Sequence, residues 1–208
     1  MRKVLLVDDD QNTRDAMSEI LAVNGYSVIV ADDGLTGLEA AACRPNLIVS
    51  DIDMAEVQGP HMVRILRALP EFALMPIILM SGAVDIAPIP VEGMLRKPVD
   101  PRHFLDLVNH LAASAPIGEA EPRVLQPATL PSGTSQRCDA VRQRIRRGIV
   151  LWRYQEKRIL LLAHLRADTG LSEQLSQNLL LSVAGLVRLY HLSVDWPEIP
   201  ACARGARE

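Results

Sequence analysis

Short apolar runs alternate with amphipathic helical patterns through the first half of this chain, and this alternation constrains its fold more than any other feature. Five short runs, mostly of leucine and β-branched residues, predict strands buried on both faces of a sheet: residues 3–7, 27–31, 46–50, 76–80 and, more weakly, 91–95. Apolar residues recur at helical spacing in the segments that follow them: residues 13–23, 35–42, 59–69 and 101–112. The pattern predicts an α/β fold, a doubly wound five-stranded parallel sheet.

The charge of the chain changes sign between its two halves, which indicates two modules. Residues 1–116 carry a net charge of -7 and residues 117–208 a net charge of +4. At the junction, residues 115–136 are rich in proline, glycine and small polar residues, which do not sustain a helix or a central strand. We therefore expect a first domain over residues 1–114, a linker over 115–136 and a helical region over 137–208.

Composition excludes several classes of protein. Apolar residues make up 49% of the chain and charged residues 23%, which is typical of a globular protein rather than a disordered one. No apolar run approaches the roughly 18 residues that a membrane helix needs, and the chain does not open with a secretory signal. Cys43, Cys138 and Cys202 are too few and too far apart for a disulfide framework or a zinc site. We expect a cytoplasmic protein with reduced thiols and no membrane partner.

Polar side chains follow four of the five predicted strands. Asp8 and Asp9 follow the first, Asp51 the third and Ser81 the fourth, while Lys97 lies just past the fifth. Because ligands bind beyond the carboxyl ends of the strands in such sheets, we expect these side chains to meet at one edge. Clustered carboxylates repel one another and need a cation, and an oxygen-only set suits Mg²⁺. Such an ion would neutralise an incoming phosphoryl group while the Asp51 carboxylate attacks phosphorus.

Five sequence motifs make the first half similar to a known family. They are VDDD at residues 7–10, PNLIVSDIDM at 45–54, Gly59, PIILMSG at 76–82 and LRKPVD at 95–100. In order and spacing they resemble the receiver domain of bacterial two-component response regulators, over about residues 2–113. The resemblance implies a protein that accepts a phosphoryl group from a cognate histidine kinase, and a signalling protein rather than an enzyme.

The resemblance also implies roles for the acidic residues. Asp51 would be the phosphorylated aspartate, and Asp9 and Asp51 would bind Mg²⁺ through their side chains. Asp53 would contribute its backbone carbonyl to the metal, and Asp8 would act through a metal-bound water. The side chain of Asp53 either alters the lifetime of the phosphoryl group or is simply a solvated charge.

The switch residues implied by the resemblance lie at the ends of the last two strands. Ser81 would be the switch hydroxyl, and Lys97 would pair with the aspartyl phosphate, its bond to Pro98 being cis. Met94 stands where the family usually has an aromatic switch residue. The stretch from Ser81 to Lys97 is also short and contains prolines, so we expect the family's fourth helix to be shortened or lost. The read-out is therefore expected to be atypical.

The second half predicts two helical segments. Residues 138–166 combine an apolar stripe with a basic face, and residues 171–192 read as one further helix or two. The basic face and the last helix supply candidate contacts to DNA or to an acidic partner protein: Arg142, Arg146, Arg147, Arg153 and Arg188.

Two functions of this half compete. In the first, the helices form an antiparallel hairpin that dimerises into a bundle, with a core of Leu161, Leu165, Leu175, Leu179, Leu186 and Leu189. A variant makes His164 a phospho-accepting histidine on that bundle rather than an ordinary core histidine. In the second, residues 165–190 form a divergent DNA-binding helix-turn-helix of a transcription regulator.

Overall fold

A five-stranded parallel sheet forms the centre of the first part of the chain. The structure, a computed structural model, describes residues 2–55, 57–82, 89–114 and 133–193. The strands have the order β2-β1-β3-β4-β5 and all neighbours pair in parallel. Their bounds are β1 Lys3–Val7, β2 Ser27–Ala31, β3 Leu47–Asp51, β4 Ile77–Ser81 and β5 Gly93–Arg96. The predicted doubly wound sheet is confirmed, with the last three strands starting one or two residues later than expected.

Four helices accompany this sheet. They are α1 Gln11–Val23, α2 Gly34–Ala40, α3 Gly59–Arg67 and α4 Pro101–Ser114, with short 3-10 segments at Ala41–Cys43 and Pro70–Phe72. In β3 and β4 every residue is buried, because both faces of the sheet are covered. Between β4 and β5 the described residues 82 and 89–92 contain no helix. The predicted shortening or loss of the family's fourth helix concerns mainly residues 83–88, which lie outside the described part.

Asp33 caps the first turn of α2. Its Oδ1 accepts a hydrogen bond from the Thr36 backbone N–H at 2.6 Å, while the Thr36 hydroxyl accepts one from the Asp33 N–H at 3.1 Å. Replacing Asp33 with Ala is expected to lower the free energy of unfolding by about 1 kcal/mol, since a backbone donor loses its partner. Urea denaturation of the full chain measures this loss. Asp33→Asn keeps an acceptor and should recover most of it; equal losses for both variants would contradict the capping role.

The C-terminal half contains two long helices, α5 Gly133–His164 and α6 Gly170–Ser193, which form a hairpin. Gly148 lies against Val183, the Trp152 Nε1–H donates to Ser176 Oγ at 3.1 Å, and the Gln155 side chain donates to the Ser172 carbonyl at 3.2 Å. The partner number falls as the α5 number rises, so the helices are antiparallel. Their seam is lined by buried residues at heptad-like spacing: Ile145, Ile149, Trp152, Val183, Val187 and Tyr190.

The turn of the hairpin has a defined backbone ending. Arg166 adopts a positive φ of 54° directly after α5, and the Ala167 N–H donates to the Leu162 carbonyl at 2.9 Å. Many helices end with a residue in the left-handed backbone conformation, followed by a residue whose N–H bonds to the carbonyl five residues earlier. The sequence predicts a break between the helical segments 138–166 and 171–192, and the structure has this break at residues 165–169, because α6 begins at Gly170.

The structure corrects two sequence-based predictions for this half. A helix-turn-helix over residues 165–190 needs a turn near Leu180, but α6 continues through that position without interruption. The apolar side chains of α6 follow one heptad pattern on both sides of Leu180, which favours a single helix. Helix α5 begins at Gly133, so the last four residues of the predicted linker 115–136 are helical. Residues 115–132 and 194–208 lie outside the described part.

The described residues divide into two compact units. The first comprises residues 2–63 and 74–114, and the second comprises residues 64–73 and 133–193. Within the second unit, Arg64 forms an ion pair with Glu156, and Phe72 meets His191 edge to face at a ring distance of 5.9 Å. Across the part of the chain that is described, no helix combines the length and apolarity that crossing a membrane requires.

Candidate phosphorylation and metal site

The carboxyl ends of four strands bring the predicted polar residues together. Asp8 and Asp9 follow β1, Asp51 ends β3, Ser81 ends β4 and Lys97 follows β5. Strands β1 and β3 are neighbours at the point where the strand order reverses, and such points are where ligands bind in sheets of this type. The backbone extends the cluster, because the Lys97 N–H donates to the Ser81 carbonyl at 2.7 Å.

Three carboxylates form the acidic part of this site. Side-chain oxygens of Asp8, Asp9 and Asp51 all lie within 4.8 Å of one another. Asp8 and Asp51 are buried, whereas Asp9 is exposed and leaves the cluster open to solvent. Buried like charges at this separation are stable only with a nearby cation, and the all-oxygen donor set fits Mg²⁺, which needs few protein ligands and retains several waters.

Lys97 supplies a positive charge to the same cluster. Its Nζ lies 2.9 Å from Asp8 Oδ2 and 2.9 Å from Asp51 Oδ2. The Lys97–Pro98 peptide bond is cis, as expected from the resemblance. Burial lowers the pKa of Lys97, but the hydrogen bonds and charges of Asp51 and Asp8 outweigh it and raise the pKa above its ordinary value. The ammonium group therefore stays charged between the two carboxylates.

Asp51 is held in a fixed orientation. Its Oδ1 accepts a hydrogen bond from the Ile52 backbone N–H at 2.8 Å, while Oδ2 faces Lys97. Burial raises the pKa of Asp51 and the neighbouring charge of Asp8 adds to this, although Lys97 opposes it. A divalent cation beside this carboxylate would offset both the cost of burying its charge and the repulsion from Asp8. The electrostatics of the site therefore favour binding of a metal ion.

The loop after Asp51 approaches the site closely at Gly59. A Cβ at that position would lie 2.2 Å from the Asp51 carbonyl oxygen, so only glycine fits without moving the backbone. The Gly59 N–H also donates to the Ile52 carbonyl at 3.1 Å. The glycine identified as part of the sequence motif thus has a steric reason, which the sequence pattern alone did not reveal.

The remaining receiver residues of the prediction occupy different surroundings. Asp53 has an exposed side chain outside the carboxylate cluster, which leaves its backbone carbonyl as its predicted contribution. Met94 is 45% exposed in β5, and Pro98 is exposed beside Lys97. Sequence reasoning missed Arg14, whose Nη1 donates to the Asp8 backbone carbonyl at 2.6 Å. The sequence gives little indication of this role, since Arg14 is one of several charged residues on α1.

The basic residues of the second half lie on the hairpin. Arg142, Arg146, Arg147 and Arg153 belong to α5, and Arg188 belongs to α6 with its Nε 3.6 Å from Glu71 Oε1. His164 is the last residue of α5 and is exposed. It lies at the turn of the hairpin rather than on the seam, so it is not the buried core histidine considered from the sequence.

Comparison with known proteins identifies the family of the first half of the chain. The family model of the response regulator receiver domain matches residues 4–109. The response regulator protein FleR of Pseudomonas aeruginosa is 34% identical over 139 residues, which cover 61% of this chain and 28% of FleR. The C4-dicarboxylate transport transcriptional regulatory protein DctD of the same organism is 31% identical over 175 residues, 80% of this chain and 36% of DctD. The chain thus spans well under half the length of these two relatives.

Solved structures show the same receiver fold. The chemotaxis protein CheY4 of Vibrio cholerae is 29% identical, with a TM-score of 0.50 over 53% of this chain and 98% of that chain. A response regulator receiver protein from Pseudomonas putida is 30% identical, with a TM-score of 0.50 over 52% of this chain and 96% of that chain. The family match covers half of the sequence and includes the carboxylates, Ser81 and Lys97. The chain therefore belongs to the response regulator receiver domain family.

Proposed function

We propose that this chain is a cytoplasmic two-component response regulator that a cognate histidine kinase phosphorylates on Asp51. The observation that carries the proposal is the shared ion pairing of Lys97 with Asp8 and Asp51 at the open end of the sheet. Buried carboxylates held by one lysine form a site that an incoming anion and a metal ion can rearrange. A phosphoryl group brings the negative charge for Lys97, and a metal ion takes over the carboxylates.

The chemistry is a phosphoryl transfer to a carboxylate. One oxygen of Asp51 attacks the phosphorus of a phosphohistidine, the P–N bond breaks, and the imidazole leaves with that electron pair. Bound Mg²⁺ would be held by Asp9 and Asp51, with Asp8 acting through a metal-bound water and Asp53 through its carbonyl, and would neutralise phosphoryl charge. Lys97 and Ser81 then bind phosphoryl oxygens. The product is the chain with a phosphoryl group on Asp51. This phosphorylated form carries the signal, so the chain acts as a phospho-accepting signalling protein rather than as an enzyme with turnover.

The output passes through the helical hairpin as a protein-interaction module. Its partners are a second copy of the chain and, through the arginines of α5, an acidic protein. The continuous α6 offers no turn for a DNA-reading motif, so DNA binding is not favoured. Asp51 phosphorylation biases a two-state equilibrium to which the hairpin responds. Met94, exposed where an aromatic residue usually stands, supports a read-out that differs from the usual one.

Phosphoryl uptake of the full chain tests this function. Incubation with a small phosphodonor and Mg²⁺ is expected to give one acid-stable, alkali-labile acyl phosphate, and removal of the metal with EDTA should abolish it. Uptake should also fall as the pH falls through the raised pKa of Asp51, because a protonated carboxyl neither attacks nor binds metal. Phosphate-affinity electrophoresis measures the phosphorylated fraction. Uptake that is indifferent to EDTA, or none with any phosphodonor or kinase, would refute the proposal.

A further inference from the structure

Helix α6 carries a second apolar stripe besides its seam with α5. Leu171, Leu175, Leu189 and Leu192 are 83%, 46%, 59% and 78% exposed. Leu171, Leu175 and Leu189 each lie one residue before a buried residue of the seam, which turns the stripe by about 100° from the seam. Leu192 continues the stripe three residues after Leu189. The stripe contains no charged residue along its length. Its middle positions are Asn178, Ser182 and Gly185, so the leucines lie toward its two ends. An uncharged stripe at heptad spacing is typical of a helix that packs against two neighbours rather than one.

Helix α5 carries a matching stripe. Leu151, Tyr154 and Leu161, together with Leu165 directly after the helix, are all at least 57% exposed and recur at helical spacing. The exposed Arg158 lies in the same row, between Tyr154 and Leu161. Leu151 and Tyr154 each precede a buried residue of the seam by one position, Trp152 and Gln155 respectively. Because α5 and α6 run in opposite directions, rotation in the same sense turns both stripes toward the same face of the hairpin. We call the two stripes together the leucine face.

The other side of α6 makes contacts within the second unit. His191 lies against Phe72, Arg188 lies near Glu71, and Ala184 is buried. These residues lie on the far side of the seam from Leu175 and Leu189. One side of α6 is therefore covered by described residues, whereas the leucines of the leucine face are exposed.

The dimensions of the leucine face match those of a dimer interface. Helix α6 has 24 residues, which gives a length of about 36 Å at the α-helical rise. Two packed helices about 10 Å apart are about 20 Å wide, so the face offers roughly 700 Å². This projected area includes the arginines of α5 and the small residues of α6, and it is close to the area of about 800 Å² per partner that stable interfaces bury.

The sizes of the side chains along the face fit a second copy. By the pairs that join the helices, Leu175 lies level with Tyr154, whereas Ser182 and Gly185 lie level with Arg147 and Arg144 of α5. A two-fold axis along the hairpin places α6 over α5 of the partner at the same level. Leucine then meets an aromatic ring, and the long arginines lie over small residues. The Ser182 hydroxyl already donates to the Asn178 carbonyl at 2.8 Å, so its burial leaves no unpaired donor.

We infer that the leucine face is the surface through which two copies of this chain form a four-helix bundle. The inference deepens the proposed function by naming the face and the occupant, and it rests on that function only in treating the hairpin as the interaction module. Four of the six leucines expected from the sequence to form a dimer core, Leu161, Leu165, Leu175 and Leu189, lie on this face.

Sedimentation velocity of the full chain over a concentration series tests the inference, with adjacent matched variants. Leu161→Glu and Leu189→Glu place a charge on the face, whereas Leu160→Glu and Leu181→Glu alter side chains that are 71% and 52% exposed but lie off it. We expect a dimer for the wild type and both controls. Each face variant should weaken the dimer about 100-fold or more, because two-fold symmetry buries the unpaired charge twice.

The outcomes separate this inference from the proposed function. A monomeric wild type at every concentration, dimers that survive both face substitutions, or equal dissociation by the controls would each overturn the leucine face. Far-UV circular dichroism checks helix content, and if a glutamate variant loses it, the Leu161→Ala/Leu189→Ala double variant replaces it in the same assay. Phosphoryl uptake on Asp51 is measured on the same samples. A dimer without uptake contradicts the proposed function alone, and uptake by a strictly monomeric wild type contradicts the leucine face alone.

Discussion

Replacing Asp51 with Asn is expected to reduce phosphoryl uptake from a small phosphodonor to the level without protein. The amide lacks the negative charge and the nucleophilic oxygen pair of the carboxylate, so it does not attack phosphorus. It also removes one of the three carboxylates within 4.8 Å that would hold the metal ion. The fold should persist, because an amide oxygen still accepts the 2.8 Å hydrogen bond from the Ile52 N–H.

Asp53→Asn is the matched control for this experiment. Asp53 lies two residues away, and its exposed side chain is outside the carboxylate cluster. Its substitution should leave the extent of uptake unchanged, while the decay rate of the phosphorylated form reports whether this side chain affects the attacking water. Wild-type uptake by Asp51→Asn would refute Asp51 as the acceptor. Loss in both variants would indicate damage to the loop rather than to the nucleophile.

The receiver site could be predicted from the sequence because its geometry follows from strand ends. An apolar run in the sequence identifies each buried strand. The polar residue that ends the run then lies at the carboxyl edge of the sheet, as Asp51 and Ser81 do. An error of one residue in the start of β3 did not change which residues reach that edge. The ionic contacts of Lys97 could not be predicted in this way, since they depend on side-chain rotamers and distances.

The hairpin shows where sequence reasoning reaches its limit. Apolar periodicity predicted two helical segments with a break between them, but α6 is apolar on both its seam and its open face. Such a pattern does not distinguish one helix from two, and a similarity over residues 165–190 then suggested a helix-turn-helix. Only the antiparallel pairing of Trp152 with Ser176 and of Gln155 with Ser172 separates the seam from the leucine face.

Trp152 is the residue whose loss should affect the hairpin most. It is 1% exposed and is the largest fully buried side chain among the described residues. Truncation to Ala removes most of its packing on α6, and the Ser176 hydroxyl loses the donor at 3.1 Å. Large-to-small substitutions of this type lower the free energy of unfolding by about 3–5 kcal/mol. This is a large part of the whole free energy of unfolding of a two-helix unit. We therefore expect Trp152→Ala to open the hairpin while the parallel sheet remains folded.

Hydrogen exchange measured by mass spectrometry locates this effect along the chain. Peptides from α5 and α6 should lose protection in Trp152→Ala, whereas peptides from β1, β3 and β4 keep it and phosphoryl uptake on Asp51 continues. Leu160→Ala is the control on the same helix: its side chain is 71% exposed, so protection should change little. Trp152→Phe keeps most of the apolar volume but removes the N–H donor, and should lie between the two. Unchanged protection of α6 in Trp152→Ala would show that the seam is not held by this side chain. Loss of protection in the sheet as well would show that the two units unfold together, so that a signal at Asp51 and the state of the hairpin are parts of one cooperative equilibrium.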